Sequence, residues 1–208
     1  MNVRKLLRFS WIAPLVFFTV ILLGGLFYPG YSHIRQHVSE LAVPDSPVGF
    51  LVTWFGLIPF GLMIMAHAVG GILSYRGDIL GILSFIAIFL TGVSFITVGI
   101  YPCDETCGLP DMSRQARLHA NAAAATFVCI WISQLLTGIK TFTGRRSAFT
   151  FFAILMFIAG WLVNKAAAES WLGPENKGLI QRVYFVYVAV WLIASGIAAR
   201  TRLRQRGE

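Results

Sequence analysis

Ile79-Leu-Gly-Ile-Leu-Ser-Phe-Ile-Ala-Ile-Phe-Leu-Thr-Gly-Val-Ser-Phe-Ile-Thr-Val-Gly-Ile-Tyr101 is a run of twenty-three residues with no charge and no proline. As a helix it is about 35 Å long, enough to cross a hydrocarbon core of about 30 Å. It lacks the polar-apolar alternation of a barrel strand. A backbone in lipid must satisfy its own hydrogen bonds, so the run reads as a transmembrane helix. Comparable runs on both sides give six expected spans, at residues 9–28, 49–73, 79–101, 119–139, 148–164 and 179–199. Composition agrees: 57% of the 208 residues are hydrophobic and only 12% charged, and the mean hydropathy is +0.72, too apolar for a soluble domain of this size. We expect an all-α integral membrane bundle of six transmembrane helices, forming a single domain over residues 1–208.

The charges set the expected orientation. Eleven of the seventeen Lys and Arg lie at the N-terminus, in the 75–78 and 140–147 connections and in the C-terminal tail. The positive-inside rule then places both termini in the cytoplasm and the chain in the plasma membrane as a multi-pass protein. The first span follows Arg4, Lys5 and Arg8, as a secretory signal does. Its apolar core is about twenty residues long and leads into Tyr28-Pro-Gly-Tyr31 without a small-residue cleavage site, so we read it as a retained signal-anchor helix. Arg200, Arg202, Arg204 and Arg206 directly follow an apolar helix, so the net charge of +8 points to membrane lipids as partners and not to nucleic acid.

Topology leaves a chemically rich outer face. Seven of nine acidic residues, three of four histidines and two of three cysteines fall in its loops or at its helix ends. Ile34, Val38 and Leu41 recur at helical spacing, as do His33, His37 and Glu40. A short interfacial helix over 31–41 would therefore present two imidazoles and a carboxylate on one polar face. His33 and His37 at i, i+4 are candidate metal ligands, although Ile34 stands where the zinc-protease pattern has Glu. Equally, they form a plain solvated face. His119, where the fourth span leaves the interface, is a candidate base or ligand. Cys103 and Cys107 read first as a short disulfide in an oxidising compartment, with a metal or redox pair and free thiols left open. Gln181 and Arg182 open the last span and are candidates for lipid or substrate binding; Glu169, Glu40 and Asp104 are possible partners for the guanidinium. His67 lies about 27 Å deeper than the outer end of its helix, so it shares no ligand shell with His119 and no haem is expected. A divalent metal such as zinc is a candidate cofactor.

Tyr28-Pro-Gly-Tyr-Ser-His33 leading to Val38-Ser-Glu-Leu41, Tyr101-Pro-Cys-Asp104 with Cys107, His119 and Gln181-Arg182 together resemble the uncharacterised prokaryotic membrane family of domain of unknown function 998 (DUF998). The resemblance covers nearly the whole chain. It implies a six-helix membrane protein whose characteristic polar positions face outward, and it supplies no reaction. Family members often carry an acid at the position of Gln181, which weakens the expectation of an ion pair for Arg182 within the last helix.

Three functions fit these residues. The least demanding is a membrane component whose outer-face polar site binds lipid, metal or a protein partner. An enzyme reading makes the chain a metal-assisted hydrolase of an amphiphile, using His119 and Glu40. Its serine variant, with Ser39 as nucleophile and His119 as base, lacks a Gly-x-Ser-x-Gly elbow. A small-solute transporter would need polar groups at mid-membrane, where the spans offer little beyond His67, Asn121 and Gln134.

Overall fold

The computed structural model describes residues 2–104, 107, 112–143, 147–168 and 171–207. Six helices are long and apolar enough to cross a membrane, and no strand occurs among the described residues. After a turn at Val3–Leu6, α1 is Phe9–Leu26. The second span, α2, is Gly49–Ser74. Then come α3 (Ile79–Ile100), α4 (Arg114–Thr143), α5 (Ser147–Ala168) and α6 (Lys177–Gln205).

α1–α3 match the expected spans to within two residues, whereas α4, α5 and α6 extend beyond theirs because polar residues continue them past the apolar cores. Ser113 caps α4, its Oγ accepting from the Ala116 amide at 3.1 Å, and so starts the helix ahead of His119. At the other end of the bundle Arg200 donates to the Leu7 carbonyl at 2.8 Å and Arg206 to the Arg76 carbonyl at 2.6 Å, carrying α6 past its apolar part. In α2 a π-helical turn at Val52–Leu57 precedes the regular helix Ile58–Ser74. Pro59 explains its place: the ring supplies no N–H and crowds the carbonyl four residues back, Phe55, which lies in the wider turn.

Consecutive helices pack as antiparallel neighbours, and α6 closes the bundle against α1, α2 and α5. α2 and α3 approach closely at a pair of glycines. A Cβ on Gly61 would lie 2.5 Å from the Gly92 carbonyl oxygen, and one on Gly92 2.6 Å from that of Gly61, so only glycine permits this crossing. At the centre, Phe17 stacks on Phe60 with centroids 4.4 Å apart and meets Phe185 edge-on at 5.0 Å. Leu15, Leu22, Phe50, Trp54, Phe151 and Trp161 stay exposed around the outside. In water such a girdle would aggregate; facing acyl chains it costs nothing. The chain is a multi-pass membrane protein.

α6 and α3 are the most enclosed spans, with 56% and 50% of their apolar windows buried, against 22% for α4 and for α5. Large side chains at helical spacing line the inner face of α6 and hydrogen-bond to α4. Tyr184 Oη lies 2.8 Å from Thr126 Oγ1, Tyr187 donates to Gln134 Oε1 at 2.7 Å, and Trp191 donates to Ser133 Oγ at 3.0 Å. Side chains, more than close backbone contact, join α4 to α6, and cavities flank this ladder at both ends. Both termini lie at one end, here called the terminal end. The 27–48 segment and the Tyr101–Ser113 connection mark the opposite, loop end.

Candidate functional site

The 27–48 segment is not the amphipathic helix expected over 31–41. It runs through turns as far as His37 and then forms a buried 3-10 helix, Val38–Ala42. Ile34 is 51% exposed while Val38 and Leu41 are buried, so the apolar stripe is split. The physical reason is competition for backbone groups. Ile34 O accepts from the Leu179 amide at 3.0 Å, and the Val38 amide donates to Gln181 Oε1 at 2.6 Å. Ile34 O thus satisfies an open amide at the N-terminus of α6 while Gln181 takes the Val38 amide, the two groups that a regular helix would have joined to each other.

Arg182 fastens this segment. Nη1 donates to the carbonyls of Gln36 and Gly178 at 3.1 and 2.9 Å, while Nη2 donates to Tyr31 Oη at 2.7 Å and to His33 Nδ1 at 2.9 Å. Tyr31 passes its own proton to the His37 carbonyl at 2.8 Å. No carboxylate among the described residues pairs with Arg182, and Glu169 lies outside them. Because a guanidinium only donates, His33 Nδ1 must accept, which fixes His33 as the neutral Nε2–H tautomer. That Nε2 is buried without a partner. Burial and the Arg182 charge both hold the His33 pKa below the usual histidine value. Burial also pushes the Tyr31 phenol up, against the opposing charge and hydrogen bond of Arg182.

Glu40 turns to Lys177, 3.0 Å from Oε1, and accepts from the His37 amide at 2.9 Å. His37 touches the Gln181 side chain, and its Nδ1 has no partner. Its pKa is lowered, first by burial and then by Lys177.

From the other side comes His119, whose Nδ1 lies 2.9 Å from the Tyr101 carbonyl at the end of α3. A carbonyl only accepts, so Nδ1 carries the proton and Nε2 is the basic atom of the neutral ring. His119, Ser39 and Gln181 line one cavity of about 70 Å³. A second, of about 200 Å³, is lined by His37, Lys177 and Gln181 together with apolar Val163 and Ile180. Phe127, Gln181 and Tyr184 belong to both, with the Phe127 and Tyr184 rings stacked 3.6 Å apart, so the two spaces adjoin across a shared wall.

The sequence-derived candidates thus separate. Ser39, His119 and Gln181 share a cavity; His37 and Lys177 border its neighbour, with Glu40 paired to Lys177; His33 and Arg182 lock the segment beside them. His33, His37 and His119 do not form a ligand triad, and no group of three His, Cys, Asp or Glu is placed to hold a metal among the described residues. Cys103 and Cys107 are joined, with Cα atoms 5.0 Å apart, in the α3–α4 connection. Nearby Asp104 accepts from the Ser113 amide and hydroxyl at 2.9 and 2.8 Å, and these bonds hold its carboxyl below the usual range.

A family model described as protein of unknown function (DUF998) matches residues 11–198. The chain belongs to the DUF998 family. A search of the curated proteins and of the solved structures finds no match. In this DUF998 protein four contributors were not singled out from the sequence. Neither spacing nor composition marks Tyr31 or Lys177 among the other polar residues of the connections. Gly25 and Gly178 carry no pattern of their own, yet a Cβ on Gly178 would collide with the Gln36 backbone and one on Gly25 with the His33 ring. Only the position of Gly178, just before Gln181 and Arg182, signalled anything.

Proposed function

We propose that this protein binds an amphiphile with an anionic headgroup at the loop end of the bundle. The observation that carries the reading is the pair of adjoining cavities sharing Phe127, Gln181 and Tyr184. Val163, Ile180 and Tyr184 offer an apolar chain a wall, while Lys177, His37 and Gln181 offer a headgroup a polar rim. Lys177 is the cation in that lining, and its side chain stays 37% exposed beside its Glu40 partner, with Glu175 lying against Gly173 of the same lining, so the exposed ammonium is the group that meets a negative head. The positive-inside distribution supports placing this end on the outer face of the plasma membrane, with both termini cytoplasmic.

Native mass spectrometry of detergent-released protein tests the reading, using phosphatidylglycerol and phosphatidylcholine as probes. Phosphatidylglycerol is retained preferentially, and Lys177→Met lowers its affinity about tenfold, as the loss of one charge-assisted hydrogen bond does. Equal retention of both lipids would sink it.

The neighbouring cavity supports a second reading, hydrolysis of the bound amphiphile. Ser39 and His119 line it together, and the His119 tautomer leaves Nε2 as the base. Under that reading Ser39→Ala and His119→Gln each abolish p-nitrophenol release from p-nitrophenyl decanoate while phosphatidylglycerol is still retained. Release undiminished in both variants excludes it.

A further inference from the structure

At the terminal end a cavity of about 460 Å³ opens between the α3–α4 hairpin and α6, on the far side of the α4–α6 ladder from the pockets above. Its size is that of a small-molecule site. Tyr75, Phe85, Phe149 and Trp191 supply aromatic walls. Hydroxyls break up this apolar lining. Ser84 Oγ lies 2.9 Å from both Ser133 Oγ and Thr137 Oγ1, and Ser195 Oγ lies 3.0 Å from His67 Nε2. Ser195 also donates to the Leu192 carbonyl at 2.8 Å. Its proton is therefore committed, His67 is the donor between them, and the pair does not act as nucleophile and base.

Charge gathers at the mouth. Lys140 and Arg202 line the cavity and both pair with Asp78, Arg202 at 3.2 Å. Both also sit over the Tyr75 ring, 4.7 Å from its centroid. The ring and the carboxylate hold two cations in place beforehand, and among the described residues one carboxylate against two cations leaves a net positive charge. Cations, aromatic walls and hydroxyls on one cavity describe a ligand with a negative head and an apolar body.

We infer that this cavity binds an amphiphilic phosphate or carboxylate, with its head between Lys140 and Arg202 and its body against Phe85 and Trp191. An anionic lipid of the adjacent leaflet and a free amphiphilic phosphate share this chemistry. The site is independent of the loop-end reading: different helix ends build it, and the ladder of Tyr187 and Trp191 lies between them.

The test uses the full chain in neutral maltoside detergent, with octyl phosphate, octyl glucoside and inorganic phosphate as probes and the unfolding temperature as readout. Octyl phosphate raises it more than either control. Repeating the measurement in nanodiscs with and without phosphatidic acid identifies the source: stabilisation there assigns the site to leaflet lipid, and stabilisation by octyl phosphate alone assigns it to a free ligand. Ala198 lines the cavity one helical turn before Arg202, so Ala198→Phe fills it and weakens octyl phosphate binding about tenfold. Should that variant not fold, Lys140→Gln serves the same purpose. Lys177→Met, at the other end, leaves this binding unchanged. Equal effects of octyl phosphate and its controls, unaltered binding in Ala198→Phe, or loss in Lys177→Met would each overturn the proposal.

Discussion

The two ends of the bundle fasten their connections to α6 by different chemistry. At the loop end a guanidinium with no carboxylate partner among the described residues holds two carbonyls, a phenol and a neutral imidazole. At the terminal end a carboxylate collects Lys140 and Arg202, while Arg200 and Arg206 take backbone carbonyls. One end thus needs an uncharged histidine; the other needs an ionised aspartate. The lesson is that like-looking basic residues do unlike jobs. Arg182 orders a segment against the candidate site, whereas Arg202 is held ready at the mouth of a cavity.

The largest effect that separates the ends comes from Arg182→Met. It leaves His33 Nδ1 without its donor, removes the Arg182 bonds to Tyr31 and Gly178, reduces the Gln36 carbonyl to the longer Tyr31 bond at 3.3 Å, and costs about 3 kcal/mol. Hydrogen exchange over residues 28–42 rises sharply while exchange around Asp78 is unaltered; parallel change at both ends would show that they are not independent. Next is Gly178→Val, in which the new side chain meets the Gln36 backbone, for about 2 kcal/mol of overpacking. It loosens the same residues without touching a charge, so a normal exchange pattern would mean that the segment is not seated on Gly178. Asp78→Asn keeps a capping side chain for the Gly81 amide but loses both ion pairs, for about 1 kcal/mol given their partial exposure. Thermal unfolding of this variant measures it, and a larger loss would mean that the triad bears more of the fold than solvent-screened pairs do.

Acidification is the smallest perturbation and the sharpest discriminator. His33 and His37 have folded pKa values below their unfolded ones. The unfolded state therefore binds more protons, and their contribution, complete above about pH 6.5, falls as the pH drops below it. Arg182 and Tyr31 face His33; Lys177, Glu40 and Arg182 face His37. Burial alone would raise the Asp78 carboxyl, but the Lys140 and Gly81 hydrogen bonds and the nearby cations outweigh it and leave it lowered. Its contribution is thus present above the unfolded value of about 4 and is lost only as the pH falls through the still lower folded value. Exchange measured from pH 7 to pH 5 should open residues 28–42 first. Simultaneous opening around Asp78 would erase the distinction between the ends.

Much of this molecule is legible in its residues. Runs such as 79–101 are too long and apolar to be anything but spans, and the family followed from short motifs around His33, Cys103 and Gln181. Gathering Ser39, His119 and Gln181 at one depth was also within reach, since Ser39 falls in a connection, and His119 and Gln181 at helix starts, on the same side of the expected topology. The shape of the 31–41 segment was not. Its spacing is helical, but periodicity records only the chain's own preference, and here the amide of Leu179 and the side chains of Gln181 and Arg182 claim its backbone from about 140 residues away. The pairing of Lys140 and Arg202 with Asp78 was hidden for the same reason.

By itself the sequence determined that the chain is all helical, crosses a membrane several times and concentrates its histidines, cysteines and acids at one end. Those properties follow from hydropathy, length and order along the chain. Tertiary structure alone decided which polar groups meet: that Arg182 locks a segment, that His119 shares a cavity with Ser39, and that α6 stands off α4 on its tyrosines and tryptophan. Such meetings depend on distances across helices, which hydropathy and spacing do not encode.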